Sequence, residues 1–383
     1  MAPPDGLEPS TNGLTASASF LASPLLHHAE LRRLFNFTKI DLILAFIFFL
    51  CCWWLFLVLL LTDLDVKSVL TMDDALKVVE EGFKEYGLGR ILMPVRVSLN
   101  IDKVGGWVGV MPVYMWKMEI LTTKIVSSYP KNVDLGLPNI MGVLVYLNPK
   151  TGEPLALIDA NFLTAIRTGA ASGVATKYLA RKDANIVGLL GSGNQAKTQL
   201  EAVYKTRNIE FVKVYSPNLN HRKKFVEEMG EKLGLKIVSV ENPKDTVKDS
   251  DIVITATNSK KPVLDGRWLK NGVHINSIGA HTPNTRELDN LTLKKSKIIV
   301  DSKNAALKET GDLVIPIRKK IISQKSIYAE LGEIVLGRKK GRKFPEEITL
   351  FKSVGLAFED AVVAKIVYEK AVKLGIGKEV KLT

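Results

Sequence analysis

The sequence predicts a two-domain α/β protein organised around a doubly wound parallel sheet. Three observations predict it. Beyond Asn185 short apolar strands alternate with helical stretches, the pattern of parallel β-α-β units. The first strand of that series runs into a glycine turn, Gly191-Ser192-Gly193-Asn194-Gln195-Ala196, that opens a helix. Residues 96–147 form a separate β-rich block, so another domain precedes the alternating one. A length of 383 residues gives each of two domains enough chain to bury a core.

The N-terminal segment reads differently from the rest. From Leu42 to Leu61 there are twenty consecutive uncharged residues, long and apolar enough for a transmembrane helix. Arg32, Arg33 and Lys39 precede the run while Asp63 and Asp65 follow it, so the positive-inside rule would set the body outside the membrane. A different origin is also open. The stretch from Asp5 to Thr15 resembles the translation of a transfer-RNA gene, and no methionine lies between Met1 and Met72. A start at a non-AUG codon near Leu55 to Val58 would make residues 1–56 a mis-called extension and Leu57 to Leu61 the first strand of the body. No small-residue cleavage site follows the run, which argues against a removed signal.

Next, Thr71 stands in capping-box relation to Asp74, and Leu76, Val79, Phe83 and Tyr86 share one helical face before Gly87 and Gly89. Arg96 to Ile101, Val108 to Val110, Leu121 to Val126 and Met141 to Leu147 read as strands, with a hairpin turn at Lys150 to Glu153. Leu163 to Ala180 reads as a helix crowded with small residues, which admits another backbone or a ligand at close range. Strands then follow at Asn185 to Leu190, Phe211 to Tyr215, Asp251 to Thr255, Val273 to Ile278 and Lys297 to Val300, with helices at Gln195 to Arg207 and Arg222 to Leu233. The last fifty residues return to helix, ending in Phe358 to Leu374.

The glycine turn is the motif with chemistry in it. In G-x-G-x-x-A after a buried strand, Gly191 permits the tight turn and Gly193 admits a pyrophosphate to the backbone. Ala196 keeps helix and strand close, and the N-terminus spanning Asn194 and Gln195 offers partial positive charge. This is a dinucleotide site of Rossmann type. An NAD site wants a carboxylate at the end of the second strand; here Tyr215-Ser216-Pro217-Asn218 has none, and Arg222 follows. NADP is therefore favoured over NAD, with Ser216, Asn218 and Arg222 around the ribose. Thr257, Ser277 and Gly279 sit at later strand ends, where such sheets place ligands.

Composition excludes several classes. The net charge is +13, partly in the clusters Arg318 to Lys320 and Arg338 to Lys343. A nucleic-acid reader would set such charge beside exposed aromatics or a reading helix, and neither is visible, so no nucleic-acid partner is expected and the clusters read as solvated surface. The field they create suits anionic cofactors and carboxylate substrates. The two cysteines, Cys51 and Cys52, lie in the apolar run, leaving the body without thiol chemistry. The five histidines show no metal-ligand spacing, and no metal is expected.

From about Leu57 onward the chain resembles the ornithine cyclodeaminase/mu-crystallin family, which also holds archaeal alanine dehydrogenases and ketimine reductases. The resemblance rests on ordered matches: Met111-Pro112, Lys124, Asn132, Gly136-Leu137-Pro138, Thr151-Gly152, Arg167-Thr168-Gly169-Ala170-Ala171 and Gly191 to Ala196. Thr255-Ala256-Thr257, Pro262-Val263, Gly279-Ala280, Arg286-Glu287-Leu288-Asp289 and Ser353-Val354-Gly355 complete it. It implies a Rossmann domain plus a second α/β domain that binds substrate and makes a homodimer. The divisions expected are residues 57–168 and 329–383 for the substrate and dimerisation domain and 169–328 for the NAD(P)-binding domain. It further implies that Arg96, Lys124 and Arg167 hold the substrate carboxylate, that Lys124 is catalytic, that Thr168 contacts the cofactor phosphate, and that Ser353 and Gly355 belong to the cofactor site. A lysine desolvated beside other cations has its pKa lowered toward acid–base work.

One departure matters. Cyclodeaminases of the family resemble G-A-D-x-P-G-K-x-E-L where this chain reads Gly279-Ala280-His281-Thr282-Pro283-Asn284-Thr285-Arg286-Glu287-Leu288. His281 replaces the aspartate, and a histidine can exchange protons near neutral pH but offers no fixed anion to a cationic ornithine side chain. The expectation is thus a cytoplasmic NAD(P)-dependent oxidoreductase interconverting a small L-amino acid and its imine or 2-oxo acid, with His281 a second catalytic candidate. The alternatives are ornithine cyclisation with recycled NAD, and a non-catalytic NADP-loaded binding protein.

Overall fold

The computed structural model describes residues 57–381, and the readings of residues 1–56 as anchor or mis-called start lie outside the described residues. Leu57–Leu61, the end of the apolar run, is strand β1. No helix among the described residues is long and apolar enough to cross a membrane.

After β1 come helices α1 (Asp63–Val69) and α2 (Met72–Gly87). Thr62 and Thr71 start them by one device: the threonine hydroxyl takes the N–H three residues on, and the aspartate there accepts the threonine N–H in return. Strands β2 (Val97–Ile101), β3 (Gly106–Met115), β4 (Ile120–Ser128), β5 (Ile140–Leu147) and β6 (Pro154–Asp159) lead to helix α3 (Asn161–Leu179). β3 runs well beyond the three residues expected, since Gly109 and Pro112 interrupt its apolar alternation without interrupting its pairing to β4.

The alternating half follows as β7 (Ile186–Leu190), α4 (Asn194–Thr206), β8 (Phe211–Tyr215), α5 (Leu219–Leu233), β9 (Lys236–Ser239), α6 (Pro243–Val247), β10 (Ile252–Thr255) and β11 (His274–Ser277). Then come α7 (Asn290–Lys295), β12 (Ser296–Val300), α8 (Lys303–Glu309), α9 (Gly311–Arg318), β13 (Ile327–Glu330) and α10 (Leu331–Val335). The chain closes with β14 (Ile348–Lys352), α11 (Ala357–Leu374) and β15 (Lys378–Lys381).

Two sheets result. The first has the order β15-β1-β6-β5-β4-β3-β2, antiparallel except for β1 beside β6. The second, β13-β12-β14-β11-β10-β7-β8-β9, is parallel throughout, as a doubly wound sheet requires. Helix α11 packs on β3, β4 and β5 of the first sheet, and α2 packs on α11, where the rings of Phe83 and Phe358 lie edge to face 5.0 Å apart.

Four expectations need correction. Residues 329–383 do not all belong to the first domain, because β14 inserts between β11 and β12 in the interior of the second sheet. The last fifty residues are therefore not helix alone. A boundary at 168/169 would cut α3, which packs on α2 and on α4 and so serves both halves. Its small residues do admit another backbone: a Cβ on Gly169 would come within 2.5 Å of the Thr198 carbonyl oxygen. Nor is the Arg338 to Lys343 cluster simply solvated. Arg338 donates to the Gly87 carbonyl and Arg342 to the Leu179 carbonyl, placing cations where helices α2 and α3 present their last acceptors.

Candidate active site

The glycine turn sits between β7 and α4 with the geometry a dinucleotide needs. Gly191 has φ +116°, and a Cβ there would lie 2.3 Å from the Ala256 carbonyl oxygen, so only glycine fits. A Cβ on Gly193 would meet nothing within 4 Å, and no side chain caps α4. The turn thus faces open space with the N–H groups of Asn194, Gln195 and Ala196 at the free helix end, which is the cradle a pyrophosphate requires. Ala196 is fully buried beneath it. Ser192 and Ser216 hydroxyls, 2.8 Å apart, tie this turn to the end of β8. Thr168 lies across from it: its carbonyl accepts the Gln199 amide and its hydroxyl donates to Thr164.

Other expected cofactor residues are engaged elsewhere. Asn218 caps α5, accepting the His221 N–H. Arg222 is 5 % exposed, donates to the Val240 carbonyl and lies over the Tyr215 ring, so it is turned into the fold and not toward a 2′-phosphate. Its place in an amphipathic helix revealed the charge but not the direction. Thr257 and Ser277 are at the ends of β10 and β11, yet both hydroxyls donate to the buried Glu287 carboxylate.

Opposite the cradle, the first sheet and the start of α11 assemble the cations. Lys124, mid-strand in β4, is 1 % exposed and bonds Asp360 at 2.6 Å. Arg167 on α3 uses Nε for the other Asp360 oxygen at 2.9 Å and Nη1 for Glu359 at 2.8 Å. Gly355, at φ +80°, leaves room for that guanidinium, since a Cβ would lie 2.5 Å from its Nη1. Arg96 donates to the carbonyls of Val354 and Gly355 and pairs with Glu309. Burial brings the Lys124 pKa down to about 8; Asp360 opposes the fall, and Arg167 and Arg96 add to it. Burial likewise pushes Glu359 up to about 7 against the pull of Arg167. Ser353 and the N–H groups of Val354 and Gly355 donate to Asp301, which fixes the strap between β14 and α11.

His281 is reached by solvent, yet the surrounding protein partly desolvates its ring. That desolvation, with Arg96 and Lys352 nearby, holds its pKa below the ordinary imidazole value although Nδ1 contacts the Gly279 carbonyl at 3.0 Å. The cleft itself is lined by Tyr86, Met93, Arg96, Met111, Asn304 and Leu356 among others. Among the expected site residues, Arg96, Lys124, Arg167 and Gly355 are thus brought together. The residues the sequence reading missed are the carboxylates Glu287, Glu309, Asp312, Glu359 and Asp360 and the buried Lys352. Two acidic residues within the apolar, buried first turns of the terminal helix were the one local signal for Glu359 and Asp360.

The profile of the ornithine cyclodeaminase/mu-crystallin family matches residues 58–375. The chain belongs to that family. It is 41 % identical over 326 residues to the alanine dehydrogenase of Archaeoglobus fulgidus, covering 84 % of this chain and 98 % of that protein. It is 36 % identical over 281 residues to the ketimine reductase mu-crystallin of Rattus norvegicus, covering 73 % and 86 %. Among solved structures, the Thermococcus litoralis Δ1-pyrroline-2-carboxylate reductase in complex with NADH and L-proline superimposes with a TM-score of 0.83 at 48 % identity, covering 84 % of this chain and all of that one. The family member described here is accordingly an NAD(P)-dependent oxidoreductase.

Proposed function

We propose that this family member reduces a small, uncharged-side-chain α-imino acid, foremost a cyclic ketimine, to the L-amino acid, and catalyses the reverse oxidation. The observation that carries the reading is the cleft lined by Arg96 and Gly355, with the buried Lys124–Asp360–Arg167 cluster packed behind Gly355. It offers a cation for one carboxylate and an apolar wall from Met93, Met111 and Leu356, and the chain carries an imidazole, His281, where a cyclodeaminase would present an aspartate. Cyclisation of ornithine needs an anion to receive the second amine, and the carboxylates placed here, Glu309 and Asp360, are already paired with cations.

The Gly191 to Ala196 turn would hold the dinucleotide, which when bound would supply or accept the hydride. The protein does the rest. Arg96 and Arg167 orient the substrate carboxylate; the Lys124 ammonium gives its proton to the imine nitrogen as the C=N bond becomes C–N, and recovers one from solvent. His281, near enough to Arg96 to feel its charge, would help order the substrate. We further propose NADP as the preferred form, on the lack of a carboxylate after β8 and the exposed His221 and Lys223 beside it.

The test follows absorbance at 340 nm with NADPH or NADH and a panel of Δ1-pyrroline-2-carboxylate, Δ1-piperideine-2-carboxylate, and pyruvate with ammonia. Oxidation of NADPH with a cyclic imine, faster than with pyruvate, is the expected result. Proline and ammonia appearing from ornithine with no net cofactor change would overturn it.

The same reading includes a homodimer. Val97, Val110 and Ile125 form one cross-strand row on β2, β3 and β4, and β2 is an exposed edge in which Val97 and Leu99 are 58 % and 57 % accessible. Such an apolar edge calls for a partner, and a second copy supplies one. Leu99→Asp is expected to halve the mass measured by light scattering while the circular dichroism spectrum is kept.

A further inference from the structure

Glu287 is the most heavily hydrogen-bonded carboxylate in the alternating half, and nothing in the proposed chemistry uses it. It is fully buried in the loop after β11. One oxygen accepts the Thr257 N–H at 2.7 Å and the Thr257 hydroxyl at 2.8 Å. The other accepts the Thr255 hydroxyl at 2.8 Å, the Gly279 N–H at 2.7 Å and, at 3.5 Å, the Ser277 hydroxyl. These donors come from the ends of two neighbouring parallel strands, β10 and β11. A side chain on Gly279 would collide with the carboxylate, its Cβ lying 2.4 Å from the oxygen. The backbone N–H groups of Glu287 and Leu288 are held in turn by Asp312, which pairs at 3.1 Å with Lys352 at the end of β14. Lys352 is also fully buried and lies 3.4 Å from the Ser277 hydroxyl.

Doubly wound sheets bind a dinucleotide across the carboxyl ends of their strands, one half on each side of the point where strand order reverses. Here that point lies between β7 and β10, so the glycine turn takes one half and the ends of β10 and β11 face the other. We propose that Glu287 is a positioning residue: it locks the ends of β10 and β11 into the wall that receives the nicotinamide half and, through Gly279, whose carbonyl meets the His281 ring, holds that imidazole in place. The inference rests on the dinucleotide reading of the cleft. It also gives Thr257 and Ser277 a different part, since their hydroxyls reach the cofactor site only through this carboxylate.

The test separates the two halves of the ligand by titrating NADH and ADP-ribose, which lacks nicotinamide, against wild type and Glu287→Gln by intrinsic fluorescence. The amide keeps the shape but sets N–H groups against the N–H donors of Thr257 or Gly279. NADH affinity is expected to fall about 10-fold or more while ADP-ribose affinity stays within about 2-fold, the scale of losing hydrogen bonds to a buried charge. Thr257→Val, which removes one donor and leaves the carboxylate, should show the same selective loss, about 3-fold, and serves if Glu287→Gln fails to fold. Equal losses for both ligands would mean a merely structural carboxylate, and unchanged NADH binding would mean no role; either overturns the inference. Wild-type protein that binds neither of these ligands nor NADPH would instead overturn the dinucleotide reading beneath it.

Discussion

Lys124→Met is expected to fold and to lose imine reduction by about 10³-fold, the scale of removing a positioned acid. Methionine matches the unbranched lysine stem inside β4, and Asp360 keeps Arg167 as its partner, so no lone charge is stranded. The wild-type pH dependence should carry the same signature. With the lysine pKa near 8, the ammonium that reduction requires is present below that pH and is lost above it. Reductive kcat/KM should then be level at lower pH and fall through about pH 8, while oxidation, which needs the neutral amine, should rise through the same range. Steady-state rates in both directions with Δ1-pyrroline-2-carboxylate and L-proline test this. A reductive profile flat from pH 7 to 10 would remove Lys124 as the acid.

Asp360→Asn is expected to destabilise the protein by about 3–5 kcal/mol, the cost of leaving a buried charge without its partner. This carboxylate holds two cations at once, Lys124 and Arg167, and both are almost wholly enclosed. Glu359 cannot take over, because it meets Arg167 alone and burial already favours its neutral form. The urea midpoint should drop with the slope unchanged. Adding Lys124→Met should return part of the loss, since one stranded cation is then gone; strict additivity of the two changes would show that the pair does not interact. The surviving activity of Asp360→Asn should have its alkaline limb displaced to lower pH, because Asp360 is what raises the lysine against desolvation.

What was legible in the sequence was whatever is decided locally. The Thr71–Asp74 box spans three residues and needs no tertiary information. The glycine turn is likewise local: a positive φ at Gly191 and an uncapped helix start are written in adjacent residues. The small residues of α3 announced close packing, which Gly169 confirms against Thr198. What was not legible depends on partners far along the chain. Asp360 is 236 residues from the lysine it holds, and no periodicity marks such a pair. Arg222 shows the opposite error, in which a charge near the right strand was given the direction its neighbours deny. Strand β14 was hidden because its neighbours β11 and β12 both precede it and no helical pattern links it to them.

The way the two sheets close has a consequence for how the chain is made. β1 pairs antiparallel with β15, Leu57 facing Lys381, and β14 is an interior rung of the other sheet. During synthesis the nascent chain exposes an open slot between β11 and β12 and an unpaired flank on β1 until the segment after Ile348 emerges. Such late, long-range contacts carry a large loop-closure cost and slow folding. Neither half can therefore be finished on the ribosome ahead of the other, and denaturation should proceed as one cooperative event instead of two domain-wise steps.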